Sequence, residues 1–168
     1  MCLLLSSYSW KYLNNHFYIN LDDFFSKVIN IGEKKVKINI NNLPYKQNLF
    51  DFHRRRIKYY DGLIFFYNTE DFESFKDIQY LYKEVRPLQY PNVAMSLFGF
   101  KKINPIISKE EGEMLANEYH MNFYEGVCVD YEVIKEVIEN LVQRIYDTRY
   151  KEKIEQDVKK KKKMCFNQ

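Results

Sequence analysis

A three-layer α/β domain with a mostly parallel sheet is predicted by three features of this chain. Gly62–Tyr67 and Val93–Phe98 are short, continuous apolar runs, the composition of strands covered on both faces. Val36, Ile38 and Ile40 alternate with Lys37, Asn39 and Asn41, the period of a strand with one wet face. Stretches with helical apolar spacing lie between and after these runs, and strand and helix patterns in alternation define that class.

Each element has its own signal. Phe24–Ile31 and Lys35–Asn41 flank Gly32-Glu33, which reads as a β-hairpin. Phe75, Ile78, Tyr82 and Val85 lie on one helical face, and Pro87 predicts its stop. Ser108-x-x-Glu111 is a capping box opening a helix that carries Met114, Leu115 and Tyr119. Ile134, Val137, Ile138, Leu141, Val142 and Ile145 form an i, i+3, i+4 stripe, so the final helix is expected to end near Tyr146.

Composition bounds the function. At 168 residues, 46% hydrophobic and 17% aromatic, the chain can bury one sizeable core. The formal net charge of +3 is dominated by the run Lys159–Lys163, so the body is near neutral and nucleic acid is not an expected partner. Cys2, Cys128 and Cys165 with His16, His53 and His120 show no metal-ligand spacing, which argues against zinc sites and disulfide scaffolds. The longest apolar run, Leu63–Tyr67, is far below the roughly 20 residues a membrane span needs, and MCLLLSSY is too short for a signal-peptide core. A cytosolic, reducing setting is expected.

Ser108–Glu125, SKEEGEMLANEYHMNFYE, resembles the fourth helix and sixth strand of Rab-type small GTPases of the Ras superfamily. Tyr60-Asp-Gly-Leu-Ile-Phe-Phe-Tyr67 resembles their fourth strand, and Asp71-Phe-Glu-Ser-Phe75 the start of the following helix. Asp23-Phe24 and Val36-Lys-Ile-x-Ile40 are similar to the Rab branch. The resemblance runs from Cys2 to Tyr146 and implies a Ras-like, P-loop-type fold over 1–146, with 147–168 a charged flexible tail.

The same resemblance implies a degenerate member. It sets Met1 level with the metal-binding Ser or Thr of the phosphate loop, so the first strand, central in the sheet, and the loop's glycines are expected to be missing, leaving unpaired edges and an aggregation-prone body. The Mg²⁺-ligating switch Thr aligns with Ile19. The Asp, Gly and Gln of the hydrolytic motif align with Asn42, Tyr45 and Lys46. In the guanine-reading Asn-Lys-x-Asp motif, Phe100 and Ile103 replace Asn and Asp, and Lys101 alone survives as a cofactor-binding remnant. Val127-Cys128-Val129 stands where Ser-Ala-Lys is found. Phe100 and Ile103 are expected to fill the vacated base pocket as core residues. No catalytic or metal-binding residue, and no GTP, GDP or Mg²⁺, is expected. The alternative is a genuine GTP-binding Rab whose phosphate-loop segment precedes this sequence.

Lys159, Lys160, Lys161, Lys162 and Lys163 precede Cys165-Phe-Asn-Gln168, a CaaX-like pattern in which Cys165 accepts a farnesyl group and the lysines contact anionic lipid. The implied function is a membrane-tethered binding module in vesicle-mediated intracellular protein transport, peripheral on the cytoplasmic face of an endomembrane or the plasma membrane. Its partners would be effector or tethering proteins, reached through the surface around Lys46–Lys58, and a prenyltransferase. His53-Arg-Arg-Arg-Ile-Lys58 reads either as a solvated face or as part of that surface.

Overall fold

The computed structural model describes residues 2–7, 24–44, 57–89, 92–127 and 131–166, the last of these by backbone alone from residue 150. Its strands are β1 (Cys2–Ser7), β2 (Phe24–Ile31), β3 (Lys34–Pro44), β4 (Gly62–Asn68), β5 (Ala94–Phe100) and β6 (Asn122–Gly126). Helices α1 (Phe72–Val85), α2 (Lys109–Glu118) and α3 (Tyr131–Phe166) complete the described fold, with a 3₁₀ turn at Arg86–Leu88. The sheet order is β2-β3-β1-β4-β5-β6, parallel throughout except for the antiparallel β2–β3 pair. The predicted α/β class and its mostly parallel sheet are therefore present.

The sheet has no gap at its centre, which corrects the expected missing first strand. Cys2–Ser7 lies between β3 and β4, parallel to both, in register from Cys2↔Asn39 to Ser7↔Pro44 and from Leu3↔Gly62 to Ser7↔Phe66. The reason is energetic. An unfilled slot would orphan the facing backbone groups of two buried strands, at about 1–3 kcal/mol for each unsatisfied group. Cys-Leu-Leu-Leu is a continuous apolar run, so it can be covered on both faces.

Alternation along β4 divides the core into two layers. Ile64 and Phe66 face a cluster with Phe98, Phe100, Ile38, Ile40 and the α3 stripe from Ile134 to Ile145. Leu63, Phe65 and Tyr67 face the opposite cluster with Phe75, Ile78, Leu97 and Leu115 from β5, α1 and α2. All six residues of the predicted α3 stripe are buried. In the hairpin, Gly32 takes the first position of the two-residue turn at φ 58°, in the left-handed region that favours glycine.

The capping box at α2 has both arms: Ser108 Oγ accepts from the Glu111 amide at 3.2 Å, and a Glu111 carboxylate oxygen accepts from the Ser108 amide at 2.7 Å. Leu115 and Tyr119 are buried as expected, but Met114 is 70% exposed, because the face that α2 turns to β5 and β6 is held by Gly112, Leu115 and Ala116. The final helix does not end near Tyr146. Gln143 donates to Asp147 at 2.8 Å, Thr148 Oγ1 donates to the Arg144 carbonyl at 2.9 Å, and Arg149 pairs with Asp61. The backbone stays helical through Phe166. Residues 147–166 contain no Gly or Pro and are rich in Lys, Glu, Gln and Arg, so helix propensity sustains the backbone where the apolar stripe has stopped.

Candidate functional site

In an open parallel sheet, ligands are bound outside the carboxyl ends of the strands. Here β4, β5 and β6 end together at Asn68, Phe100 and Gly126. The link after β5, residues 101–107, is organised by the turn after β4. The Thr69 amide and hydroxyl both donate to the Phe100 carbonyl, at 3.1 and 3.0 Å. Thr69 Oγ1 in turn accepts from the Lys102 amide at 3.0 Å. Its carbonyl accepts from Ile106 and Ile107 at 2.7 and 3.0 Å, and Glu70 accepts from the Asn104 amide at 3.0 Å. Thr69 is wholly buried, so its own bonds lie under the loop, while the Glu70 bond is exposed. Sequence reasoning missed this role; the cluster Asn68-Thr-Glu-Asp71 directly after an apolar run was the available sign of a turn with side-chain hydrogen bonding.

The residues aligned with the base-reading motif fall in three environments. Phe100 is in the core, 1% exposed, with its ring stacked on Phe66 at 5.2 Å between centroids and edge-on to Phe98 at 5.1 Å. This is the expected core placement, and the alternation of β5 produces it. Ile103 was expected to be buried beside it, and this is corrected: it is 93% exposed, carried outward by the loop that Thr69 and Glu70 pin. Val127, just past β6, is also exposed, at 47%.

Lys101 lies between these positions. Its amide donates to the Gly126 carbonyl at 2.8 Å, extending the β5–β6 ladder, and its ammonium is 3.5 Å from a carboxylate oxygen of Glu125. Glu125 is mostly covered and Lys101 mostly exposed, so this cation serves the end of β6. A guanine at this edge would face no carboxylate at 103 and no side-chain amide at 100. Among the described residues, no group of three His, Cys, Asp or Glu is placed to hold a metal ion.

The other predicted positions are not brought to this edge by any described contact. Ile19, Tyr45, Lys46, the segment from Lys46 to Arg56, Cys128 and Val129 lie outside the described residues, and of Asn42 only the backbone in β3 is described. Lys159–Lys163 and Cys165 are on the last turns of α3, described by backbone alone. Among the described residues no helix is long and apolar enough to cross a membrane.

Strand order, the two-sided core and the edge at Phe100 and Gly126 together define a Ras-like domain. The chain belongs to the Ras family, whose profile it matches over residues 2–147. Within that family it is of the Rab type. It is 26% identical over 129 residues to the Ras-related protein RabQ of Dictyostelium discoideum, covering 73% of this chain and 62% of the relative. It is 25% identical over 128 residues to Rab-3 of Caenorhabditis elegans, covering 74% and 58%, and 26% identical over 128 residues to Rab-26 of Rattus norvegicus, covering 74% and 50%. The matched region thus spans between 50% and 62% of these relatives' length.

Proposed function

We propose that this chain is a degenerate Rab-type small GTPase, a pseudo-GTPase that acts as a membrane-tethered binding module in vesicle-mediated intracellular protein transport. One observation carries the reading: of the two positions that would read guanine, Phe100 is sealed into the core and Ile103 stands in water as an apolar side chain. Each lost hydrogen bond to a charged group such as the family's Asp weakens binding by about 1.5–3 kcal/mol. Titration of the purified chain with a fluorescent GDP or GTP analogue in Mg²⁺ is expected to show no saturable binding at micromolar concentration. A sub-micromolar Kd would overturn the reading and favour a genuine GTP-binding Rab.

The partners in this reading are effector or tethering proteins of membrane traffic, as the Rab-type relatives suggest, together with a prenyltransferase and an anionic membrane surface. Cys165 is the lipid acceptor, and Lys159–Lys163 add electrostatic attraction of about 1 kcal/mol per lysine near an anionic leaflet. A single lipid chain gives only marginal, reversible binding, so the two signals act jointly. Cys165→Ser is therefore expected to move the protein from the membrane to the soluble fraction of fractionated cells. Replacement of the five lysines by Gln is expected to leave weak, redistributed binding. An unchanged membrane fraction in Cys165→Ser would exclude the lipid anchor.

A further inference from the structure

We infer that the exposed face of α2, with the loop that leads into it, docks the basic C-terminal segment of a second copy of this chain, so that copies join head to tail. The contact needs neither nucleotide nor lipid and holds whether or not the chain is a lipid-anchored pseudo-GTPase.

Ile103, Met114 and Ile106 are 93%, 70% and 66% exposed, three of the four most exposed large apolar side chains among the described residues. Scattered singly they would mean little; gathered on one helix and the loop before it, they mark a contact surface. The loop presents them in fixed positions. The Ile106 amide donates to the carbonyl of buried Thr69 at 2.7 Å, the Asn104 amide donates to Glu70 at 3.0 Å, and the Ser108 capping box sets the first turn of α2. A surface held in this way gives up little conformational entropy on binding.

Charge and chain geometry choose the occupant. α2 carries Glu110, Glu111, Glu113 and Glu118 against Lys109 alone. Two cations beside these acids are engaged, Lys109 with Glu113 at 3.4 Å and Lys101 with Glu125 at 3.5 Å. Glu110 and Glu118 join no ion pair among the described residues. They stand one turn to either side of Met114, in an exposed row at i, i+4 and i+8. An apolar group between two acids calls for a ligand that is both basic and apolar, and it repels an anionic bilayer or a nucleic acid. Lys159–Phe166 has that chemistry, five lysines followed by Met-Cys-Phe. A chain cannot offer this segment to its own α2. The α3 stripe packs on the face of the sheet opposite α2. The helix runs past the start of β4, where Arg149 pairs with Asp61, and its backbone carries residues 150–166 about 25 Å further at 1.5 Å per residue. That course leads away from the strand ends where Ile103 and Ile106 stand, so the segment meets the α2 face of another copy, a heterologous contact.

The test is sedimentation velocity of the full, unlipidated chain under reducing conditions, with circular dichroism to confirm that each variant is folded. The average mass of the wild type is expected to rise with concentration and to fall again in high salt. Two variants break opposite halves of the contact: Glu110→Lys with Glu118→Lys on α2, and Gln in place of Lys159–Lys163. Each alone should weaken association by about tenfold or more. Mixed together they should associate as strongly as the wild type and stop at a one-to-one pair, because one keeps the tail and the other keeps the face. Met114→Ser should also weaken association, which separates docking from charge attraction alone. A wild type that stays monomeric, association undiminished by either charge variant or by Met114→Ser, or a mixture that fails to pair would overturn the inference.

Discussion

Phe100→Asn, the substitution that restores the family's guanine-reading residue, is expected to destabilise the protein by about 3–5 kcal/mol and to restore no nucleotide binding. Phe100 is 1% exposed, and its ring contacts Phe66 and Phe98. Asn would leave a cavity between those rings and bury an amide whose unmet hydrogen bonds cost a further 1–3 kcal/mol or so. Against a total stability of about 5–15 kcal/mol, this leaves a marginal or unfolded protein. Ile103→Asp, the other half of the restored motif, should change stability by less than about 0.5 kcal/mol, because Ile103 is 93% exposed. Urea midpoints of the two single variants test the contrast. Equal midpoints would mean that Phe100 is not in the core as described, and nucleotide binding by the double variant would mean that the edge retains its guanine site.

That contrast shows where the sequence was legible. The hairpin, α1 and the apolar stripe of α3 were readable because burial on one face imposes a period, and β4 and β5 because burial on both faces leaves a continuous apolar run. The capping box was readable because a helix start leaves donors that only a few side chains can satisfy. At Phe100 and Ile103 the same apolar chemistry meets opposite fates. The difference arises from Thr69 and Glu70, some 30 residues earlier, whose hydrogen bonds to Lys102 and Asn104 fix the course of the loop. A pattern rule cannot see such a partner. The use of Cys2–Ser7 as the central strand was hidden for a related reason. A Leu-rich segment suits strand or helix equally, and pairing with both β3 and β4 decides which it becomes. The continuation of α3 past Tyr146 was missed because an apolar stripe reports what a helix packs against, not how far it extends.

Gly112→Ala is expected to destabilise the protein by about 1–3 kcal/mol, despite alanine's better helix propensity. A Cβ there would lie 2.4 Å from the Tyr67 hydroxyl oxygen and 2.6 Å from the nearest ring carbon of Phe123, so α2 would have to lift from the sheet. Tyr67→Phe removes the first clash and should recover part of the loss, leaving the Phe123 contact. Tyr67→Phe alone should be neutral or slightly stabilising near pH 7, since the hydroxyl is buried with no hydrogen-bond partner among the described residues. At alkaline pH the two proteins should diverge. Burial, then Glu125 and Glu111, hold the Tyr67 hydroxyl well above the ordinary tyrosine range. In the unfolded chain it ionises near pH 10 or so, and above that pH the unfolded state binds fewer protons than the folded one. Folding stability is therefore insensitive to this group below about pH 10 and falls as pH rises from there toward its folded pKa. Urea midpoints measured from neutral to alkaline pH should fall more steeply in the wild type than in Tyr67→Phe. Parallel curves would show that the hydroxyl has found a partner or water, and the Gly112→Ala loss would then fall on Phe123.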